Sequence, residues 1–412
     1  MRLSKSASFH LLASIILFFL AGSSAPTPLY AVYQAAWGFS PVTVTVVFGV
    51  YALAVLATLL VAGSLSDHVG RRPVLGVAAL LQAVAMVLFA TAQGVPALVL
   101  ARVVQGLSTG AAAAAVGAGL LDVDRERGTL ANAVGPMLGT ATGGILSGLL
   151  VQYLPAPTEL VYALLGAIFV AQAIGVLFMP ETASRRPGAL RSLRPRFRMP
   201  AQVRGQLVVA APALVSSWAL VGFYGSLGPS LVRRIAGSTA PALGGLSLFV
   251  LASVGAMAVL FTRRHAATWV VMAGTVALAA GVGLTLVALE PASLGLFFVG
   301  TAIAGAGFGM AFQGAIRSVL PFAAEGERAG VLSVLYVIAY LSMGLPAVFA
   351  GLRFVHGGGA LTTAREYGAA VILLAALAHA SAWLRRSSLK RSAGRPLQTA
   401  PLSQGRRAAF DR

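Results

Sequence analysis

An arginine and a glutamine occupy an apolar stretch of this sequence, where charged groups are rare. Arg102 lies six residues beyond Pro96, and Gln105 follows one helical turn later. At about 1.5 Å of rise per residue, Arg102 would lie roughly 9 Å inside a helix. A charge in such a place usually faces an aqueous cavity, where it could bind a polar solute. The alternative is an arginine that only extends its charged head to water at the helix end. We favour the first interpretation.

Several aromatic and amide side chains that form hydrogen bonds lie in other apolar stretches. Such rings combine apolar contact with a polar group, which suits a pocket for a small organic molecule. Packing is the simpler explanation for any single one, whereas their grouping favours a shared cavity. With Arg102 and Gln105, the candidate cavity residues are Tyr30, Tyr33, Trp218, Tyr224 and Gln313, joined by Asn132, Tyr336 and Tyr340.

A short polar segment combines one acid, two glycines and two arginines. It runs Gly63-Ser-Leu-Ser-Asp67-His-Val-Gly70-Arg71-Arg72-Pro73. Gly63 allows close helix approach, Gly70 permits a backbone angle that other residues avoid, and Asp67 can face the positive N-terminal end of a helix. A hairpin that only places positive charge on one side of a membrane would explain both arginines, but not Asp67 with both glycines.

Small residues are closely spaced in the fifth apolar stretch. Gly135, Pro136 and Gly139 are followed by Gly143 and Gly144. Small residues at spacings of three and four let neighbouring helices pack tightly. Packing alone would therefore explain this pattern as well as a functional motif would.

The composition places all of these residues in a membrane protein. Of the residues, 58% are hydrophobic and 10% charged, whereas soluble domains contain about 25% charged residues. The apolar residues form blocks of about twenty, the length that a helix needs to cross a bilayer. The block at the N-terminus imitates a signal peptide, but it continues past Pro26 and Pro28, which should interrupt the first helix. We predict twelve transmembrane helices at 9–33, 42–65, 73–92, 96–121, 129–152, 159–179, 207–231, 239–262, 268–289, 293–316, 329–351 and 367–384.

The basic residues set the predicted orientation. Most of the 30 lysines and arginines fall on one side of the twelve-helix topology, together with both termini. Loops rich in Lys and Arg stay in the cytoplasm, so we expect both termini to be cytoplasmic in a bacterial-type inner membrane. The net charge of +19 does not indicate nucleic-acid binding, because these residues lie in loops between apolar stretches.

Two similar halves are predicted. Residues 1–180 and 206–384 each contain six helices, and the arginine-rich segment 181–205 reads as a cytoplasmic linker between them. The basic tail 385–412 is expected to be disordered. Weak repetition supports the division, since Glu126-Arg127-Gly128 before the fifth helix corresponds to Glu327-Arg328-Ala329-Gly330 before the eleventh.

These motifs resemble those of the major facilitator superfamily. The segment Gly63 to Pro73 resembles the signature loop of that family, and Arg102-Val-Val-Gln105-Gly106 resembles its buried-arginine motif. Gly135-Pro136 with the glycines after it resembles a motif of the family's antiporters, and Pro180-Glu181 the usual end of its sixth helix. The resemblance covers essentially the whole chain, although the second half matches by pattern only.

The resemblance implies an all-α fold of twelve transmembrane helices in two pseudo-symmetric six-helix bundles. It also implies a secondary transporter that moves a small organic solute by alternating access, with export favoured by the fifth-helix motif. In the family, the signature loop latches the two halves in the outward-open state. The implied gating residues are Gly63, Asp67, Gly70, Arg71 and Arg72, with Asp122 as the partner of Arg71 and the start of the eleventh helix as the partner of Asp67.

The placement of the acids leaves ion coupling open. None of the eleven acidic residues falls near the predicted middle of the membrane, where a proton-coupled transporter usually has a carboxylate. Asp67, Asp122, His10 and His379 remain as candidates for proton coupling. An uncoupled facilitator and an uptake symporter are the alternatives.

No enzyme chemistry is indicated. The sequence has no paired carboxylates, metal-ligand cluster or phosphate-binding glycine loop, and we expect no enzymatic activity, no cofactor and no metal. A membrane enzyme or scaffold is the alternative from another class.

Arg102 has no acid in any span to balance it, so we expect a neutral or anionic solute. The other expected partner is the lipid bilayer, and the chain is expected to act as a monomer.

Overall fold

A computed structural model describes residues 2–184, 186–193, 200–238, 240–324 and 327–393. Within these residues, twelve helices are long and apolar enough to cross a membrane, as predicted. They are α1 (Lys5–Ser24 and Pro26–Trp37), α2 (Pro41–Ala62), α3 (Arg71–Ala90), α4 (Val95–Val123), α5 (Arg125–Tyr153), α6 (Pro157–Phe178), α7 (Ala201–Ser226), α8 (Pro241–Thr262), α9 (Ala267–Val287), α10 (Leu294–Val319), α11 (Arg328–Arg353) and α12 (Gly359–Ala393).

Local sequence explains where several helices begin. Pro41 and Pro241 occupy the first turns of α2 and α8, where the missing N–H costs no hydrogen bond. The side chain of Asp124 accepts the backbone N–H of Arg127 at 2.9 Å and so caps α5. α1 is interrupted at Ala25, immediately before Pro26, as the two prolines predict.

The segment between the halves is shorter than predicted. α7 begins at Ala201, inside the expected linker 181–205, and Ala189–Ser192 forms a one-turn helix. The arginine content indicates solvation but does not prevent a helix, and the next proline after Pro200 is Pro212. The linker residues Arg185, Arg194, Arg196 and Arg198 lie outside the described residues.

The last helix is longer than predicted. α12 continues to Ala393, into the tail 385–412 that was expected to be disordered. Residues 385–393 contain neither Gly nor Pro, so nothing in them stops a helix that is already formed. The remainder of the tail lies outside the described residues.

Two buried cores are present, one centred in each half. In the first half, α1, α3, α4 and α6 contribute residues that include Leu12, Leu75, Leu98 and Phe169. In the second half, α7, α9, α10 and α12 contribute residues that include Leu220, Leu278, Phe297 and Val371. The second core also includes residues of α8 and α11, such as Leu251 and Leu335, and Met137 of α5 from the first half.

The remaining helices join the bundles to each other, α5 with α8 and α2 with α11. Gly245 of α8 lies against the backbone of Gly144 in α5, and Gly351 of α11 lies against the side chain of Thr45 in α2. A Cβ at either glycine would overlap its neighbour, so small residues are required there. These contacts lie toward the helix ends remote from segment 63–73. We call that end the far face, and the end that carries segment 63–73 the basic face.

Candidate functional site

A cavity of about 1990 Å³ separates the two bundles. Its lining includes helix ends of both halves at the basic face, among them Asp122, Arg125, Arg264 and Arg317. From there it extends toward the far face as far as Thr27. The bundles touch each other beyond that depth. The cavity is therefore open at the basic face and closed at the far face.

Half of the predicted cavity residues lie on this cavity. Asn132 projects from α5, Trp218 from α7, Gln313 from α10, and Tyr336 and Tyr340 from α11. Trp218 packs edge-on against Phe312, with 5.3 Å between the ring centroids, and lies 5.0 Å from the Tyr340 ring. The side chain of Gln313 donates to the carbonyl of Ala133 at 3.4 Å and so connects α10 to α5. Trp218, Phe312, Tyr336 and Tyr340 form an aromatic surface on the second half.

Arg102 does not lie on the cavity lining. The side chain is completely buried, and its guanidinium donates to the Tyr30 hydroxyl at 2.5 and 2.9 Å. It also donates to the Ser23 carbonyl at 2.9 Å and to the Gln105 side chain at 2.6 Å. The ring of Tyr51 lies 5.2 Å away. Arg102 thus joins α4 to both segments of α1, and it neither faces the cavity nor extends to the helix end.

The other predicted cavity residues are also internal to one bundle. The side chain of Gln105 donates to the Gly22 carbonyl at 2.9 Å, and the Tyr33 hydroxyl donates to that of Tyr162 at 3.2 Å. In the second half, the hydroxyls of Tyr224 and Thr285 are 2.8 Å apart. In this conformation these groups hold helices of the same bundle together.

Glu181 holds the start of α3. Its carboxylate accepts the backbone N–H of Arg71 at 2.7 Å and of Arg72 at 3.1 Å. Gly70 precedes them with φ of +105°, and a Cβ there would overlap the Glu181 carboxylate. An acid at a helix N-terminus satisfies free N–H groups and is stabilised by the positive end of the helix. The backbone of segment 63–73 is therefore hydrogen-bonded to Glu181, three residues after the end of α6.

Arg71 joins three elements at the mouth of the cavity. Its guanidinium donates to Asp67 at 2.5 Å, to Ser66 at 2.7 Å and to Asp122, at the end of α4, at 3.3 Å. The Asp67 side chain is 48% exposed, so its second oxygen is accessible from the open cavity. Gly63 lies on the same lining.

Arg72 points away from the cavity mouth. It donates to the carbonyls of Val176 and Leu177 at the end of α6. A positive charge is favourable there because the carbonyl end of a helix carries partial negative charge. Arg71 therefore pairs with acidic side chains, whereas Arg72 pairs with backbone carbonyls.

The glycines of α5 serve two neighbouring helices. Gly139 and Gly143 lie against the α1 backbone at Leu17 and Ala21, and Gly135 lies against Ile16. Gly144, one residue beyond Gly143, faces α8 instead. Pro136 lies on the cavity lining. α5 thus packs against its own bundle on one side and the other bundle on the adjacent side.

Among the described residues, the cavity mouth carries more positive than negative charge. Its acidic lining residues are Asp67, Asp122, Glu126 and Glu327, and its arginines are Arg71, Arg125, Arg186, Arg263, Arg264 and Arg317. A cleft lined with an excess of one sign raises the local concentration of the opposite sign.

Sequence reasoning missed several lining residues. Phe48 and Tyr51 of α2 and Thr109 of α4 lie on the cavity, although α2 was not expected to contribute. The only signal for Thr109 is its position one turn after Gln105. Tyr51 lies in a helix that is apolar on every side, so its direction could not be predicted.

Comparisons with known proteins agree with this architecture. A model of the Major Facilitator Superfamily matches residues 12–266. The tetracycline resistance protein, class C, of Escherichia coli is 30% identical over 312 residues, which cover 70% of this chain and 75% of that protein.

Solved structures share the fold at low identity. The nucleoside transporter NupG superimposes with a TM-score of 0.66 at 13% identity, over 92% of this chain and 98% of its own. A bacterial homolog of the human lysosomal transporter Spinster, in an inward-facing and occupied conformation, gives 0.69 at 14% identity over 93% and 97%. The human organic anion transporter MFSD10 gives 0.65 at 17% identity over 92% and 100%. This chain belongs to the major facilitator superfamily of secondary transporters.

Proposed function

We propose that this chain exports a small organic solute across a bacterial-type inner membrane by alternating access. The observation that carries the proposal is a large cavity between the two bundles, open at the basic face and closed at the far face by α5 with α8 and α2 with α11. A transporter of this kind exposes one central site to each side in turn. No bond-making chemistry by the chain is needed.

Orientation follows from the charges. The basic face carries the arginine-rich loops, and we place it in the cytoplasm with both termini. The far-face arginines Arg353 and Arg365 form ion pairs with Glu366 and Glu290, so those arginines are offset by acids. The domain division at residues 181–205 is kept as part of the proposal, with the linker shortened to the residues before Ala201.

Export and substrate charge have separate support. A tetracycline resistance protein is among the relatives. Because export of a drug from the cell would produce resistance, this similarity supports export. The excess of arginines at the mouth supports a neutral or anionic solute. We assign solute contact to Asn132, Trp218, Gln313, Tyr336 and Tyr340, and a positioning role to Arg102.

We assign segment 63–73 the role of the gate at the basic face. Asp67 is open to the cavity and joined to Asp122 through Arg71. When the bundles close at this face, Asp67 is expected to reach the N-terminus of α11, which lies across the mouth near Glu327. That contact would stabilise the state open at the far face.

An uncoupled facilitator is the second candidate function. The described acidic residues on the cavity all lie at its mouth, at inner helix ends, and deeper carboxylates are the usual proton-binding groups of coupled transporters. If export is proton-coupled, Asp67 and Asp122 are the groups that we expect to carry the proton.

Flux in proteoliposomes separates these functions. Vesicles with purified protein would be tested with 2-naphthol, naphthalene-2-sulfonate and a naphthyl trimethylammonium salt, with and without an imposed pH gradient. The exporter accumulates solute against its gradient when a pH gradient is present, whereas a facilitator only equilibrates it. Empty liposomes control for leakage, and flux no faster than that leakage for every compound would contradict both functions.

A further inference from the structure

A groove of about 660 Å³ lies between α9 and α12 on the outer surface of the second bundle. Its described lining shares no residue with the cavity between the bundles. Five alanines line it, Ala279 and Ala280 of α9 and Ala375, Ala376 and Ala380 of α12. Both helices are long and apolar enough to cross a membrane, so the groove faces lipid.

Close helix packing does not account for this groove. Toward α10, α9 uses glycine: a Cβ at Gly281 would overlap the backbone of Ala304, and one at Gly307 of α10 would overlap the backbone of Leu278. No space remains on that side. Toward α12, alanines line the contact and the two helices stay far enough apart to leave the groove open.

The polar side chains within the groove are bonded to the protein itself. The Thr275 hydroxyl donates to the Met272 carbonyl at 3.0 Å. Nδ1 of His379 lies 3.3 Å from the same carbonyl and 3.4 Å from the Thr275 hydroxyl. The exposed lining includes Val276, whose side chain is 55% exposed. The groove therefore presents mainly carbon atoms to the membrane, which suits a hydrocarbon chain.

Aromatic and basic residues follow the groove toward the basic face. Trp383, in the lining, is 54% exposed, and Trp269 is 46% exposed. Trp269 lies seven positions before Val276, and the exposed Arg386 lies three positions after Trp383, so both continue the helix faces that form the groove. α9 contains no acidic residue, and the one acid of α12, Glu366, lies at the far face. This end of the groove therefore attracts negative charge.

The length of the groove matches one leaflet of a bilayer. Ala375 lies 11 residues before Arg386, about 16 Å at a rise of 1.5 Å per residue. The hydrocarbon core is about 30 Å thick, so one leaflet contributes about 15 Å. A transmembrane helix of a second copy would need a groove across both leaflets. A phospholipid needs one leaflet, with a polar site at its end.

We propose that this groove binds an acyl chain of an anionic phospholipid in the leaflet at the basic face, with the phosphate of the headgroup at Arg386. Trp269 and Trp383 contact the glycerol region, where indole rings are enriched. Basic residues at the membrane surface attract anionic headgroups. Both helices belong to the second bundle, so the lipid moves with that bundle and stays outside the cavity.

A photoreactive lipid tests both ends of the groove. The full chain, in nanodiscs of phosphatidylcholine, receives a small fraction of phosphatidylglycerol with a diazirine in one acyl chain, and peptide mapping locates the adducts after illumination. We expect adducts within residues 275–280 and 375–383. Arg386→Gln should reduce them about fivefold, the effect of one basic residue near a charged lipid. Arg234→Gln, which changes an exposed arginine at the far face, should leave them unchanged.

Filling the groove distinguishes a site from general lipid contact. Ala376→Phe and Ala280→Phe each place a ring in the groove and should remove most of these adducts. Leu377→Phe is the matched control, because Leu377 is 51% exposed and is not part of the lining. Thermal unfolding identifies any variant that fails to fold, and the two positions lie on different helices, so they test the groove independently.

Three results would overturn the proposal. They are equal labelling by phosphatidylcholine that carries the same diazirine, adducts spread evenly over the other exposed spans, and unchanged groove adducts in the folded phenylalanine variants. Native mass spectrometry tests the other occupant: a dimer that Ala376→Phe or Ala280→Phe dissociates would assign the groove to a second copy of the chain.

Discussion

The Glu181 carboxylate occupies the space into which a side chain at Gly70 would project. It bonds the N–H of Arg71 at 2.7 Å, and the φ of Gly70 is +105°. A glycine and an acid 111 positions later in the chain therefore depend on each other: the acid caps α3 only because residue 70 has no side chain.

Gly70→Ala should destabilise the protein. Strain at a backbone angle that is nearly restricted to glycine costs about 1–3 kcal/mol, and the added methyl group displaces Glu181. We expect a lower midpoint of thermal unfolding in detergent. Gly76→Ala on the same helix is the control, since its Cβ would meet only Val176 at 3.9 Å. Equal midpoints for both variants would show that Glu181 does not need this space.

Asp67→Asn and Arg71→Ala should slow transport more than they reduce stability. Asp67 is half exposed at the cavity mouth, so its loss affects the closed gate more than the bundle core. Turnover in proteoliposomes, normalised to the amount of inserted protein, measures the effect. Wild-type turnover of both variants would contradict the assignment of segment 63–73 as a gate.

Arg102→Lys should lower stability. Lysine cannot reproduce the paired contacts to Tyr30 or keep all the bonds to α1, and breaking a buried charged cluster costs about 3–5 kcal/mol. Thermal unfolding measures the loss, and Tyr30→Phe should show a smaller loss of the same kind. The preference among anionic, neutral and cationic naphthalenes should be unchanged in the folded fraction. A change of that preference without loss of stability would make Arg102 a solute contact after all.

Removing positive charge from the cavity mouth should weaken the transport of anions more than that of neutral solutes. Arg263→Gln combined with Arg264→Gln removes two positive charges from the cavity mouth, which reduces attraction of anions by long-range electrostatics. We expect the KM for naphthalene-2-sulfonate to rise severalfold at low salt and the KM for 2-naphthol to stay constant. The difference should shrink near 0.15 M salt, where the screening length is about 8 Å. An equal change for both solutes would indicate a structural effect.

The sequence predicts much of the fold because helix length and loop charge are strong signals in a membrane protein. The twelve helices follow from them, whereas the partnership of Arg71 with Asp122 was implied by the resemblance of segment 63–73 to the signature loop of the family. The direction of side chains within a span does not, since lipid-facing and buried helix faces are both apolar. Arg102 illustrates this: its burial against Tyr30 depends on how α1 and α4 are rotated, which the apolar pattern leaves undetermined. Tyr51 was missed for the same reason.

Alternating access is tested most directly by locking the far face. Gln152 of α5 and Ala242 of α8 are in contact there, with the Gln152 side chain accepting the Ala242 N–H at 3.3 Å. The chain contains no cysteine, so Gln152→Cys combined with Ala242→Cys provides the only two thiols for a bifunctional methanethiosulfonate. We predict that cross-linking stops solute flux in proteoliposomes, that reduction restores it, and that each single-cysteine variant is unaffected by the reagent. Undiminished flux through the fully cross-linked protein would contradict alternating access.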